Sequence, residues 1–168
     1  MTPFKLVTAL ALALALGACT SADRFGNGSG AGSGGAGSLS GNPSDPTSPA
    51  YFNQTIGDRV FFVVDQSTLS PEALATLDAQ AVWLANNPAY NAIIEGHADE
   101  QGTREYNIAL GERRANAVET YLISRGVAAS RLQHISYGKE RPVALCSDES
   151  CYSQNRRAVT VITAGAGL

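Results

Sequence analysis

The segment Ala92-Ile-Ile-Glu-Gly-His-Ala-Asp-Glu-Gln-Gly-Thr103 contains the signals that decide the fold. Residues 92–96 form a short apolar run typical of a buried strand, and residues 97–102 that follow are polar. A helical pattern then runs over about residues 103–125, and Gly126 supplies the residue that ends it. The segment therefore predicts a strand, a polar loop and a long helix in direct succession.

The flanking sequence extends this pattern in both directions. Upstream, residues 60–64 predict a buried strand, and Ser70-Pro71-Glu72 supplies a cap, a proline and an acid for a helix that ends near Asn86. Downstream, residues 132–137 and 158–163 predict two further strands separated by a polar loop. This order predicts an α+β fold, a two-layer sandwich with helices packed on one face of a mixed four-stranded sheet.

The N-terminus has the parts of an export signal. Lys5 precedes an apolar run over residues 6–16, which is shorter than the roughly 20 residues that span a bilayer. We expect residues 1–18 to be cleaved. Leu16-Gly-Ala-Cys19 resembles the lipobox of bacterial lipoproteins, and that resemblance implies S-diacylglycerol and N-palmitoyl groups on Cys19. A plain signal peptide with an incidental cysteine is the alternative.

The segment between this signal and the predicted domain is rich in Gly, Ser and Pro. Residues 26–50 have little apolar content, so burial cannot offset the entropy of ordering them. We therefore predict a lipidated N-terminus and flexible linker over residues 19–50, and a globular domain over residues 51–168.

The composition excludes several classes of function. Twelve Lys and Arg residues against 15 Asp and Glu give a formal charge of −3, and no basic block is present, which argues against nucleic-acid binding. The sequence has no G-x-S-x-G nucleophile motif. We expect no enzyme activity, and no metal or cofactor beyond the covalent lipid.

Cys146 and Cys151 remain as an even pair in an exported protein. This spacing and compartment favour a disulfide that closes a small loop, and two free thiols are the alternative.

The long predicted helix carries a polar stripe. At 100° per residue, Asn107, Gly111 and Arg114 fall on one line. That line runs beside a predicted apolar face, which consists of Tyr106, Leu110, Ala117 and Tyr121. Gly111 costs about 1 kcal/mol in a helix interior relative to Ala, and we interpret it as providing room beside Arg114.

The loop before this helix adds an opposite charge. Asp99 leads directly into the helix that carries Arg114. An amino-acid head group offers one ammonium and one carboxylate, which an Asp and an Arg can bind through charge-assisted hydrogen bonds. A structural ion pair between Asp99 and Arg114 is the alternative.

The other polar candidates are expected to have structural or surface roles. His97 is expected to be a satisfied structural histidine, and a set of basic residues is expected to lie at the surface. That set is Arg113, Lys139, Arg141, Arg156 and Arg157.

Several motifs in order resemble one family. They are Glu95-Gly-His-Ala-Asp-Glu-Gln-Gly-Thr103, Tyr106-Asn-Ile-Ala-Leu-Gly-Glu-Arg-Arg-Ala-Asn-Ala-Val118, Ser136-Tyr-Gly-Lys-Glu-Arg-Pro142 and Asn155-Arg-Arg-Ala-Val159. Over about residues 58–163 the chain resembles the outer-membrane-protein-A-like peptidoglycan-binding domains. This resemblance implies non-covalent binding of meso-diaminopimelate in the peptidoglycan stem peptide. It assigns recognition to Asp99 and Arg114, places Asn107 in the same site, and adds a contact from Asp65.

The resemblance also implies a cellular role. It implies a lipoprotein anchored in the outer membrane on its periplasmic face, with TolB and other Tol proteins as partners and a part in envelope integrity and cell division. Two alternatives remain open: a wall-processing hydrolase, and a lipoprotein that binds only protein partners. The cysteine pair departs from the enteric members of the family.

Overall fold

The computed structural model describes residues 41–165. The predicted signal peptide, Cys19 and residues 19–40 of the predicted linker lie outside the described residues. Four α-helices and four strands alternate along the described part of the chain, with a π-helical turn at Phe52–Gly57 and a 3-10 turn at Ala129–Arg131. They are α1 (Pro49–Tyr51), β1 (Arg59–Phe61), α2 (Pro71–Asn86), β2 (Tyr90–His97), α3 (Arg104–Ser124), β3 (Leu132–Gly138), α4 (Glu149–Asn155) and β4 (Arg157–Ala164).

The strands form one mixed sheet in the order β1-β4-β2-β3. Strands β2 and β3 are parallel, whereas β4 pairs antiparallel with both β1 and β2. Ile94 at the centre of the sheet lies opposite Thr160 on one side and His134 on the other. This arrangement confirms the predicted mixed four-stranded sheet.

Helices α2 and α3 cover one face of that sheet. Each starts at a side-chain cap: Ser70 Oγ accepts from the backbone N–H of Ala73, and Thr103 Oγ1 accepts from the backbone N–H of Tyr106. The core between helices and sheet is fully buried and contains Leu77, Leu84, Ile94, Val118 and Leu122. The predicted α+β sandwich is confirmed.

The buried face of α3 differs from the predicted one. Leu110 of the predicted face is buried, but Tyr106 is 43% exposed, and Ala115 and Val118 lie in the core. The helix is rotated relative to the prediction because its polar stripe also faces inward: Arg114 is fully buried.

Gly111 permits close packing of α3 on β2. A Cβ atom on Gly111 would collide with Ser136 Oγ and approach the carbonyl oxygen of Gly96 to 2.9 Å, and a Cβ on Gly96 would collide with the Gly111 carbonyl. The interpretation that Gly111 makes room for Arg114 was wrong. The two glycines instead let α3 lie directly against the end of β2, which brings the polar residues of both elements together.

The domain begins before residue 51, so the predicted linker boundary was wrong. Ser48 is buried, and its hydroxyl caps α1 by accepting from the backbone N–H of Tyr51 at 3.0 Å. Trp83 Nε1 donates to the carbonyl oxygen of Pro46 at 2.8 Å. These contacts order the last residues of a segment whose composition alone predicts disorder.

The loop between β3 and β4 contains α4, which the sequence analysis did not predict. Asp148 caps this helix by accepting from the backbone N–H of Ser150 at 2.8 Å. Cys146 and Cys151 form the predicted disulfide, with their Cα atoms 5.5 Å apart. A short helix of this kind leaves too few residues for a periodic pattern.

Candidate functional site

Arg114 lies at the centre of the polar region between α3 and the end of β2. Its guanidinium is fully buried and donates to three backbone carbonyls, those of Gln66 at 2.8 Å, His97 at 2.8 Å and Val63 at 3.2 Å. It also lies 5.2 Å above the ring centroid of Phe62. Burial lowers the pKa of Arg114 to about 10, so the group remains charged at neutral pH. The side chain thus joins the end of β2 to the loop after β1.

These bonds explain why β1 is shorter than predicted. The strand was predicted over residues 60–64 and ends at Phe61. The carbonyls of Phe62 and Val63 accept from the side chains of Arg156 and Arg114. Two arginine side chains therefore take the place of a neighbouring strand, and the Val63 side chain is 57% exposed in the resulting loop.

Asp99 forms its ion pair with Arg156. Its Oδ2 atom lies 3.2 Å from Arg156 Nη1, and its Oδ1 atom accepts from the backbone N–H of Gln101 at 3.2 Å. Both Asp99 and Arg156 are buried. Within residues 41–165, Asp99 and Arg114 make no direct ion pair, so the alternative of a structural Asp99–Arg114 pair is wrong.

Arg156 lies buried in this region, although it was predicted to lie at the surface. Its Nε atom donates to the Phe62 carbonyl at 3.1 Å, and both terminal nitrogens contact the Glu149 carboxylate. The hydrogen bond to Glu149 raises the pKa of Arg156, and the same bond lowers the pKa of Glu149. Arg157 is also buried, contrary to the prediction. The quoted motif Asn155-Arg-Arg-Ala-Val159 contained both arginines, but it gave no signal that either would be buried.

Asn107 holds the loop that carries Asp99. Its Nδ2 atom donates to the carbonyl oxygen of Gln101 at 2.7 Å, and the residue is buried. Lys139, in the turn after β3, supports the same loop, because its Nζ atom donates to the Gly102 carbonyl at 2.7 Å. Gly102 has a φ of 87°, a conformation that suits glycine at this turn.

Asp65 lies at the exposed rim of the site. Its φ is 55°, and its Oδ1 atom accepts from the Tyr106 hydroxyl at 3.2 Å. Residues 63–66 form the exposed loop that Arg114 holds from beneath. The structure thus brings the four predicted residues into one region, with Asp65 outside and Asp99, Asn107 and Arg114 beneath the surface.

His97 is buried but not satisfied, which corrects the prediction. Within residues 41–165, neither ring nitrogen has a hydrogen-bond partner, and the nearest carboxylate oxygen, on Glu95, lies 3.7 Å from Nε2. The ring stacks on Tyr137 with 5.7 Å between centroids. Burial is the main cause, and the charges of Arg157 and Arg141 act in the same direction; together they lower the pKa of His97 to about 4. The imidazole is therefore neutral at pH 7.

The arrangement brings charges of both signs together. It combines two buried guanidinium groups with a buried carboxylate and an exposed one. Within the described residues, a group of side chains with the spacing of metal ligands consists of Cys146, Asp148 and Cys151. Its two sulfur atoms are bonded to each other in the disulfide. None of the helices in residues 41–165 is long and apolar enough to cross a membrane.

The comparisons with known proteins agree with this fold. The chain belongs to the OmpA family, whose profile matches residues 61–156. It is 57% identical over 129 residues to the peptidoglycan-associated lipoprotein of Rhizobium meliloti (strain 1021), a match that covers 77% of this chain and 73% of that one. This similarity confirms the family recognised from the motifs.

The fold of this chain is also similar to those of solved structures. The peptidoglycan-associated lipoprotein from Burkholderia pseudomallei superposes with a TM-score of 0.64 and 39% sequence identity, over 72% of this chain and 98% of that one. The C-terminal domain of Helicobacter pylori MotB has a TM-score of 0.60 at 20% identity, over 65% of this chain and 86% of that one. The second similarity concerns the fold alone.

Proposed function

We propose that this protein is an outer-membrane lipoprotein that binds peptidoglycan non-covalently through meso-diaminopimelate in the stem peptide. The observation that carries the proposal is the buried Asp99–Arg156 pair beside Arg114, beneath a loop that presents Asp65. The names of the Rhizobium and Burkholderia relatives support it, since both are called peptidoglycan-associated lipoproteins.

The charges match the ligand. The side chain of diaminopimelate ends in an ammonium and a carboxylate on one carbon. Carboxylates of Asp65 and Asp99 are suited to the ammonium, and a guanidinium is suited to the carboxylate. In this proposal Arg114 contributes positive charge and holds the loop that carries Asp65, while Asn107 fixes the loop that carries Asp99.

The cellular role extends the same proposal. Cys19 carries the lipid anchor in the outer membrane, and the domain lies on the periplasmic face. The protein acts in the Tol-Pal system with TolB as a partner, and it supports envelope integrity and outer-membrane constriction during division. No enzyme activity forms part of the proposal.

The test is a pull-down of the protein on purified sacculi, with two isosteric variants. Asp65→Asn removes the exposed charge, and Asn tolerates a positive φ, so this variant should fold normally. Asp99→Asn removes the buried charge while keeping oxygen and nitrogen atoms in place. Glu72→Gln serves as the control, because Glu72 is an exposed acid in the first turn of α2.

We expect both aspartate variants to bind sacculi more weakly than the wild type and Glu72→Gln to bind equally. Free diaminopimelate should compete with the wild type. Undiminished binding by both aspartate variants would contradict the assignment of the site. Release of muropeptides from the sacculi would instead identify a hydrolase.

A further inference from the structure

We propose that Glu149 is a built-in competitor for the ligand: its carboxylate covers Arg156 until a ligand carboxylate displaces it. The inference rests on the proposed function and adds a specificity-determining residue to the same site. Nothing in the family motifs pointed to Glu149, because it lies in α4, in the loop closed by the disulfide.

The donors of Arg156 divide into an inner and an outer set. The inner contacts are to the Phe62 carbonyl and Asp99 Oδ2, at 3.1 and 3.2 Å. The outer contacts go to both oxygens of the Glu149 carboxylate. Arg156 is only 4% exposed, whereas the side chain of Glu149 is 69% exposed. Glu149 therefore covers the edge of the guanidinium that would otherwise face solvent.

Any ligand carboxylate that reaches a guanidinium in this site has to displace a group that already covers it. Above Arg114, the covering groups include the backbone of Val63 and Gln66, whose carbonyls accept from its guanidinium. Above Arg156, the covering group is one solvated side chain. Rotating one exposed side chain costs less free energy than moving a loop backbone and breaking the two hydrogen bonds that its carbonyls accept from Arg114. The easier route for a ligand carboxylate is exchange with Glu149.

The surrounding structure keeps Glu149 close to Arg156. The disulfide and the Asp148 cap hold the start of α4, and the Tyr152 hydroxyl donates to Glu100 Oε1 at 3.1 Å. Because Glu149 is fixed at the edge of the site, its carboxylate competes at a high local concentration. It therefore weakens binding of every ligand that needs Arg156.

Exchange of one carboxylate for another also determines selectivity. Arg156 and Asp99 stay paired throughout, so no buried charge is left without a partner. A ligand that brings no carboxylate to this position has nothing to gain from displacing Glu149. Diaminopimelate differs from lysine by that one carboxylate, so Glu149 should affect binding of a diaminopimelate peptide and leave binding of the lysine peptide unchanged.

The test uses the full chain and isothermal titration with two synthetic stem peptides, one containing diaminopimelate and one containing lysine. Glu149→Gln keeps the size of the side chain but loses its charge, and Glu72→Gln is the matched control. We expect Glu149→Gln to bind the diaminopimelate peptide about two- to fivefold more tightly than the wild type does. Glu72→Gln should match the wild type, and the lysine peptide should bind no more tightly to either variant. Thermal unfolding of each variant checks that the fold is unchanged.

The outcomes separate the two proposals. If the wild type binds the diaminopimelate peptide and Glu149→Gln binds it equally or more weakly, the competitor role is overturned and the proposed function stands. An equal gain for the lysine peptide also overturns the competitor role, because it would reflect a general change of charge. If the wild type binds neither peptide, the proposed function fails, and the inference fails with it.

Discussion

The carboxylate of Asp99 and the guanidinium of Arg156 form a buried ion pair, with 3.2 Å between Oδ2 and Nη1. The two residues are 57 positions apart in the chain and are 6% and 4% exposed. A pair of this kind holds the loop after β2 against the start of β4. Each partner offsets part of the free-energy cost of burying the other's charge.

Loss of Arg156 should destabilise the domain. Arg156→Gln leaves Asp99 buried without its ionic partner, so we expect the free energy of unfolding to fall by about 3 kcal/mol or more. Arg113→Gln is the control, because Arg113 is an exposed arginine on α3. Urea denaturation of both variants measures the difference. Equal, small losses would contradict the structural importance of the buried pair.

Arg114 should be as important for folding as for binding. Arg114→Ala leaves the carbonyls of Val63, Gln66 and His97 without their donor, and we expect a loss of about 2 to 4 kcal/mol in the free energy of unfolding. Limited proteolysis should cut the Val63–Gln66 loop faster in this variant than in Arg113→Ala. Loss of sacculus binding by Arg114→Ala therefore does not by itself demonstrate contact with the ligand, and unchanged stability would refute this explanation.

His134 should stabilise the domain more at low pH than at high pH. Burial lowers its pKa, but hydrogen bonds to Glu119 and Glu112 outweigh this effect, and the pKa is raised above 6.5. The stabilisation is fully present below the unfolded pKa and is lost as the pH rises through the folded pKa. The difference in the free energy of unfolding between wild type and His134→Gln should therefore shrink as the pH rises above about 6.5. A difference that is independent of pH would contradict the prediction.

His97 should have the opposite effect in acid. Its folded pKa of about 4 lies below the unfolded value of 6.5, so the unfolded chain takes up the proton first. Stability falls as the pH drops from 6.5 to 4, by about 3 kcal/mol in total for this group. His97→Phe keeps a ring against Tyr137 and cannot titrate, so it should lose less stability over that range. Equal acid sensitivity in both proteins, measured by urea denaturation, would argue against a neutral buried imidazole.

The disulfide should stabilise α4. In the chain-entropy description, a loop closed over the five positions from Cys146 to Cys151 contributes about 2 kcal/mol. Reductant should lower the melting temperature of the wild type and leave that of the Cys146→Ser/Cys151→Ser variant unchanged. Hydrogen exchange should become faster within residues 149–155 on reduction. Unchanged melting of the reduced wild type would contradict this role.

Most of the fold could be predicted from the sequence. The starts of α2 and α3 follow from the caps Ser70 and Thr103, because a cap acts on backbone groups within the next turn. The strands around Ile94 and Thr160 follow from short apolar or β-branched runs. Such signals are local, so they can be recognised without knowledge of the rest of the chain.

The predicted element boundaries were wrong where residues distant in the sequence determine the local structure. The predicted strand ended early because Arg114 and Arg156 bind the carbonyls that follow Phe61, and the linker was ordered by Trp83, which lies 37 positions from Pro46. Helical periodicity placed Arg114 beside the apolar face, but it could not reveal that the guanidinium would be buried beneath a loop.

The sequence by itself determined which residue types meet at the site. The order strand, polar loop and helix places Asp99, Asn107 and Arg114 at one end of the sheet, because chain connectivity leaves little choice. Only the tertiary structure decided that Asp99 pairs with Arg156 and that Glu149 covers their outer edge. The physical reason is that a buried charge pairs with whichever opposite charge the folded chain places in contact with it, and no local sequence pattern identifies that partner.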